Sequence, residues 1–318
     1  MRILHALLLV FIGLLSASVA HAELDLLLDS EDGQIYRESS SGDYIIRYQG
    51  MEGELQEVRW VPATKTRPVV KSQLVKGPGE KFTYRYHVNN SRDAEQPVRM
   101  LILHIPEQSI TKLQGPQGWR STHRMLTVGN EKSEQAERAV TRITWSVTCS
   151  SSGCIEPGRG QTGYEYQASA LPGLQPVYVR GDTPTLAFPD HGPGGEVSDF
   201  LDAHRPTNVD SIARYAMAPV ISLDEDMNTI LRALADHVET LLDHEVIEEK
   251  MARHVSGELR KAAEAVETGD VSRATQLLGQ LRGFLNSANG SKSPEAAVFR
   301  DALLFNLNYV QPRMRRKR

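Results

Sequence analysis

Between Glu23 and about Arg180, glycine, proline, asparagine and aspartate cut the chain into short runs, and almost no helix-length window escapes interruption. Only short β-strands fit that spacing. The clearest is Phe82-Thr83-Tyr84-Arg85-Tyr86-His87-Val88, where Phe82, Tyr84, Tyr86 and Val88 share one face and Thr83, Arg85 and His87 the other. This is the alternation of a half-buried antiparallel strand. Ile143, Trp145 and Val147 repeat it. Further strands are expected at 44–48, 54–61, 69–76, 98–105, 139–148, 163–168 and 177–180, with turns such as Lys76-Gly77-Pro78-Gly79 between them. Regular recurrence of short strands predicts an antiparallel β-sandwich at 23–181, immunoglobulin-like or fibronectin-like. The antibody type is excluded, because Cys149 and Cys154 lie too close in sequence to bridge two sheets.

From about Val209 the apolar period becomes helical. Ser222 and Glu225 have the spacing of a capping box, followed by a stripe of Met227, Ile230, Leu231, Leu234, Val238, Leu241 and Leu242. A second helix is expected from about Glu248 to Glu267, a third from Asp270 through Phe284, and a fourth opened by Ser293-Pro294. Short connections predict an antiparallel helical bundle at 209–312. Residues 182–208, dense in glycine, proline and aspartate, read as a linker. The expected fold class is therefore α+β in separate domains, a sandwich followed by a bundle.

Residues 1–22 have the form of a cleavable secretory signal: Arg2 and His5, an apolar run from Ala6 to Leu15, then small residues ending in Ala20-His21-Ala22. The run is about half of the roughly 20 residues needed to span a bilayer, so the chain is not expected to be membrane-spanning. No cysteine stands near Ala22 to be acylated, so no lipid anchor is expected. Export to a periplasmic or extracellular location follows, and there Cys149 and Cys154 are expected to form a disulfide. Their pair lacks the ligand count of a structural zinc site, and its four-residue spacing differs from that of the redox motif.

Without residues 1–22 the chain carries 35 Lys and Arg against 40 Asp and Glu. Five of those cations sit in the basic tail, residues 313–318, leaving 30 against 40 in residues 23–312. So acidic a body argues against a nucleic-acid partner. The tail reads as a solubilising terminus, the alternative being a contact for an acidic partner or envelope surface.

Two stretches resemble known modules. Leu259-Arg260-Lys261-Ala262-Ala263-Glu264-Ala265-Val266-Glu267-Thr268-Gly269-Asp270, with Ala274, Gln280-Leu281, Phe284-Leu285 and Gly290-Ser291-Lys292-Ser293, resembles the FIMAH domain. That is a helical accessory module of secreted bacterial proteins, and the resemblance implies no catalytic residues. Tyr84-Arg85-Tyr86-His87-Val88-Asn89-Asn90, Gly118-Trp119 and residues 155–173 resemble a sandwich module common in bacterial secreted proteins. This too implies a scaffold.

Signatures of chemistry are sparse. His237 and His244 stand seven apart beside Asp236, Asp243 and Glu248. Seven helical residues span roughly 10 Å, too far for one ion, and no His-Glu-x-x-His motif occurs. There is no Gly-x-Ser-x-Gly elbow, and Gly192–Gly195 lacks the Lys-Ser/Thr of a phosphate loop. His87 is expected to face outward, His104 either way. Any two carboxylates suit a glycosidase, yet none is singled out. No catalytic, metal or cofactor-binding residue is therefore assigned, and no cofactor is expected. The expected function is an exported, non-catalytic binding protein whose partner is an envelope or extracellular protein or glycan. The expected contact region is the rim near Trp119 and the 149–154 hairpin. The alternatives are a secreted hydrolase with a dispersed site, and a structural or assembly factor.

Overall fold

The computed structural model describes residues 23–77, 80–106, 110–128, 138–149, 153–204, 211–287 and 294–316. The signal-like segment, the 150–152 turn, and Lys317 and Arg318 of the basic tail lie outside them. Two compact units form, one from the chain up to Pro62 with Thr183–Pro206, the other from Ala63–Asp182 with Thr207–Arg318.

The first unit is an antiparallel meander of β1 (Leu24–Ser30), β2 (Gly33–Glu38), β3 (Tyr44–Gln49) and β4 (Leu55–Trp60), with helix α1 (Gly195–His204). Ile35, Ile46, Tyr48 and Trp60 bury one sheet face against Val197 and Leu201 of α1. The return segment is pinned by Asp190, whose carboxylate accepts from Tyr48 Oη (2.9 Å), Met51 N (3.1 Å) and Gly192 N (2.9 Å). Asp32 caps α1 by accepting from Glu196 N (3.0 Å).

The second unit holds two sheets. One has β5 (Pro68–Lys76), β6 (Phe82–Asn90), β8 (Thr111–Gln114) and β11 (Gly160–Ala168) in the order β5-β6-β11-β8. The other has β7 (Val98–Pro106), β9 (Arg120–Val128), β10 (Arg138–Ser146), β12 (Ala170–Gly181) and β13 (Ile212–Ser222) in the order β13-β12-β7-β10-β9. Their inner faces meet in an aromatic core. Trp145 lies 5.9 Å from Tyr86, 5.8 Å from Tyr164 and 6.2 Å from Tyr166, ring centre to ring centre. Two of the buried hydroxyls donate to backbone oxygens: Tyr84 Oη to Ala170 O (2.7 Å) and Tyr86 Oη to Met217 O (2.8 Å).

The expected fold class, an immunoglobulin-like sandwich followed by a separate antiparallel helical bundle, does not form. Among the described residues 13 strands form three sheets, and the C-terminal part opens with a strand, β13, inside the stretch expected to be helical. Helices α2 (Met227–Asp243), α3 (Glu249–Glu267), α4 (Val271–Ser287) and α5 (Pro294–Arg316) follow it. Their apolar stripes do not close on one another as a self-sufficient bundle. Leu231, Leu259, Leu278 and Leu307 belong to one continuous core with Phe82, Leu171, Leu174 and Ile221 of the sheets. Phe82 meets Phe305 (5.3 Å) and Tyr309 (5.6 Å) edge-on, and Asn306 Nδ2 donates to Pro172 O (2.7 Å). The physical reason is the sheet's own need for cover: β12 runs for 12 residues, far beyond 177–180, and its first half bears Leu171 and Leu174 that must be buried.

Cys149 and Cys154 form the expected disulfide, with Cα atoms 5.2 Å apart. Closing so short a loop stabilises by about 2 kcal/mol through the unfolded chain. Reduction, or the Cys149→Ser/Cys154→Ser pair, is therefore expected to lower unfolding stability by about that amount without loss of the fold, read by urea denaturation with and without reductant. Among the described residues no helix is long and apolar enough to cross a membrane.

Candidate functional site

The outer face of the β5-β6-β11-β8 sheet contains a groove of about 280 Å³ lined by residues from β5, β6 and β11. Strand alternation chooses which side chains it receives. On β6, Phe82, Tyr84, Tyr86 and Val88 turn into the core, which leaves Arg85 and His87 outside. Pairing then sets Lys71 opposite His87, Gln73 opposite Arg85, and Arg85 opposite Glu165. Three strands thus deliver Lys71, Gln73, Arg85, His87 and Glu165 to one surface.

A bulge in β11 opens the groove at one end. Pairing with β6 slips between Gln161 and Tyr164, placing Thr162 and Gly163 in the lining. Gly163 has φ +98°, a conformation that a side chain would strain, so the bulge depends on glycine there. Gly160 serves His87 differently: a Cβ at that position would stand 2.8 Å from His87 Nε2. The missing side chain leaves the imidazole its room.

Arg85 Nε and Glu165 Oε2 are 2.8 Å apart, and Gln114 Nε2 donates to the other carboxylate oxygen. With side chains 50 % and 20 % exposed, this ion pair is of the solvent-screened kind that contributes about 0–1 kcal/mol. A ligand hydroxyl or carboxylate can displace it at little cost. Beneath the groove the scaffold is stiff. Ser72 Oγ accepts from Met217 N (2.9 Å), and Tyr86 Oη lies 3.1 Å from Tyr166 Oη. Burial raises the pKa of both tyrosines well above the ordinary value, so their hydroxyls stay protonated.

The residues singled out in the sequence fall elsewhere. His237 is not a metal ligand in waiting: its Nε2 accepts from Leu174 N (3.0 Å), and burial pushes its pKa down to about 4. Asp236 pairs with Arg260 (3.1 Å), and His244 is the C-cap of α2. Among the described residues no group of three or more His, Cys, Asp or Glu is placed to hold a metal ion. Trp119, expected near a contact rim, is buried. Its ring meets Tyr164 edge-on at 5.0 Å and its Nε1 donates to Gly153 O (2.8 Å), so it anchors the disulfide hairpin to the core. At the start of the basic tail, Arg313 lies over the Tyr309 ring (3.8 Å) and bonds Glu80.

His87 does face outward, in the groove. Lys71, Gln73 and Glu165 were not identified from sequence, since nothing short of the strand register brings them together. The alternation of 69–76 and 82–89 was the available signal, and it fixes faces without fixing neighbours. The chain matches no model of a known protein family and no curated protein.

Proposed function

We propose that this is an exported, non-catalytic binding protein whose outer-sheet groove takes a short polar ligand, a sugar unit or peptide segment of an envelope or extracellular component. The observation that carries the reading is the groove's composition: two flexible cations, an imidazole, an amide, hydroxyls and, among the described lining residues, a single carboxylate, on a stiff sheet. Its size lies just below that of ordinary small-ligand sites, which run from roughly 300 Å³ upward, and suits a short ligand. Glu165, the one carboxylate among the described lining residues, is held by Arg85 and Gln114, so no second acid for glycoside hydrolysis stands beside it among them. The disulfide and the resemblances to modules of secreted proteins support export.

Glycan and peptide arrays probed with the purified chain, followed by calorimetry on the strongest hit, test this. Lys71→Ala and Arg85→Ala are each expected to weaken binding roughly 10- to 100-fold, the effect of one charged hydrogen bond of about 1.5–3 kcal/mol, with unchanged melting temperature. Turnover of the bound compound that disappears in Glu165→Gln overturns the non-catalytic reading. Binding indifferent to both cation variants moves the site away from the groove.

A further inference from the structure

The other sheet carries a second surface. On the outer face of β13-β12-β7-β10-β9, three neighbouring rungs of the ladder hold four arginines and no carboxylate. Arg124, Arg142 and His104 form the first rung. Thr122, Thr144, Ile102, Tyr178 and Ala213 form the second, and Arg120, Ser146, Met100 and Arg180 the third. The opposite face of the same strands, with Leu101, Leu103, Ile143, Trp145, Val177 and Val179, is the core.

Like charges set directly across an antiparallel pair repel, and a fold gains nothing by keeping them. Here Arg142 faces Arg124, and its guanidinium pKa is lowered by burial and then by the charges of Arg124 and Arg180. His104 is lowered by burial and then by Arg142. Among the described residues neither Arg124 nor Arg142 has a carboxylate partner, whereas Arg47, Arg59, Arg67, Arg85, Arg232 and Arg260 each have one. Arg142 Nε and His104 Nε2 are buried without a hydrogen-bond partner. Ile102, at the centre of this outer face, is 0 % exposed.

The two arginine rows are four residues apart along each strand, about 13 Å at 3.3 Å per residue. A single small anion covers only part of that length. A chain with recurring charges engages both, and the threonine and serine hydroxyls between and beside the rows suit a polyhydroxyl backbone. Arginine's planar fork matches phosphate and sulfate oxygens in pairs. We infer that this face binds a linear polysaccharide bearing sulfate or phosphate esters. An aromatic platform for stacking bases is missing from these rungs, since Tyr178 is partly buried with its ring 5.8 Å from that of His104. None of their side chains is a large exposed hydrophobe that would enter a lipid surface. The inference is independent of the groove, which lies on the other sheet.

The test is calorimetry of the full chain with a size-defined heparin oligosaccharide, with neutral dextran, inorganic phosphate, duplex DNA and phosphatidylglycerol vesicles in parallel. Heparin is expected to bind with affinity that falls as salt rises, and dextran not to bind. Arg120 and Arg124 are exposed, so Arg120→Gln/Arg124→Gln is expected to keep the parent's melting temperature while weakening heparin binding roughly 10- to 100-fold. Replacing Arg315, Arg316, Lys317 and Arg318 with Gln is expected to leave most of the binding intact. Absence of heparin binding, or binding that depends on the tail and not on Arg120 and Arg124, overturns the inference. Tighter binding of DNA or vesicles than of heparin, or of phosphate alone as tightly as the oligosaccharide, overturns the assigned class. Should the double variant melt early, Arg124→Gln alone carries the same comparison, because it relieves a repulsion.

Discussion

On acidification from pH 6.5 to about 4 the second unit is expected to lose about 3 kcal/mol of stability through His237 alone. In the unfolded chain this imidazole protonates near 6.5, whereas burial in the fold pushes its pKa down to about 4. Between those values the unfolded state binds a proton that the folded state refuses. Folding stability is complete above pH 6.5, falls as pH drops through the window, and levels off below about 4. The hydrogen bond works in the same direction. Nε2 accepts from Leu174 N at 3.0 Å, and an imidazolium has no lone pair to offer. Crowding fixes the ring in place: a Cβ at Gly173 would come within 2.6 Å of Nε2. Against a total of about 5–15 kcal/mol for a typical domain, such a loss is large. Urea denaturation across the pH window checks it. His237→Gln keeps an acceptor without a titration and is expected to flatten the parent's slope. If parent and variant decline in parallel, groups other than His237 carry the loss; Asp190 is not one of them, because hydrogen bonds from Gly192 N and Tyr48 lower its pKa and its contribution is lost only at still lower pH.

His237 also shows where sequence reasoning reaches and where it stops. The seven-residue interval from His244 was enough to exclude a shared ion, because helical rise is fixed. Its real partner, Leu174 N, lies 63 residues earlier in a strand, and no local pattern announces it. The same division holds for the sheets. Strand β6 was legible because one face is buried and the other wet, which writes the period directly into the residues. Edge strand β9 was not, since Thr122, His123, Arg124 and Met125 are all exposed and no apolar stripe is required. In β13 the run Ala216–Pro219 is buried throughout, so its alternation vanishes. Within β12, Leu171-Pro172-Gly173 looks like a turn, yet Gly173 is there for His237 and Val220 to approach. Both candidate surfaces depend on cross-strand register, which is set by tertiary packing, and so neither was visible as a motif.

The misjudged bundle leads to the other large effect. Phe82→Ala is expected to cost about 3–5 kcal/mol and to destabilise sheets and helices together. Phe82 is fully buried at the start of β6, and it touches Phe305 and Tyr309 of α5 edge-on, contacts worth more than area alone. In two independent domains such a loss would stay in the sheets, and the helices would melt on their own. One shared core makes cooperative loss the expectation, because each layer supplies the other's cover. Thermal unfolding followed by helical ellipticity and by tryptophan fluorescence separates the cases. A Trp60→Phe background removes the first unit's indole, leaving Trp119 and Trp145 to report on the two sheets. Coincident transitions that shift down together in Phe82→Ala support the single core. A helical signal that keeps its midpoint while the fluorescence transition moves would restore a separate helical domain. Ending the chain after Ser222 sharpens the comparison: the sheets then lose α2–α5, leaving Phe82, Leu171, Leu174 and Ile221 without the helical part of their core. That fragment is expected to bind hydrophobic dye and to show no cooperative melt, where an autonomous sheet domain would retain one.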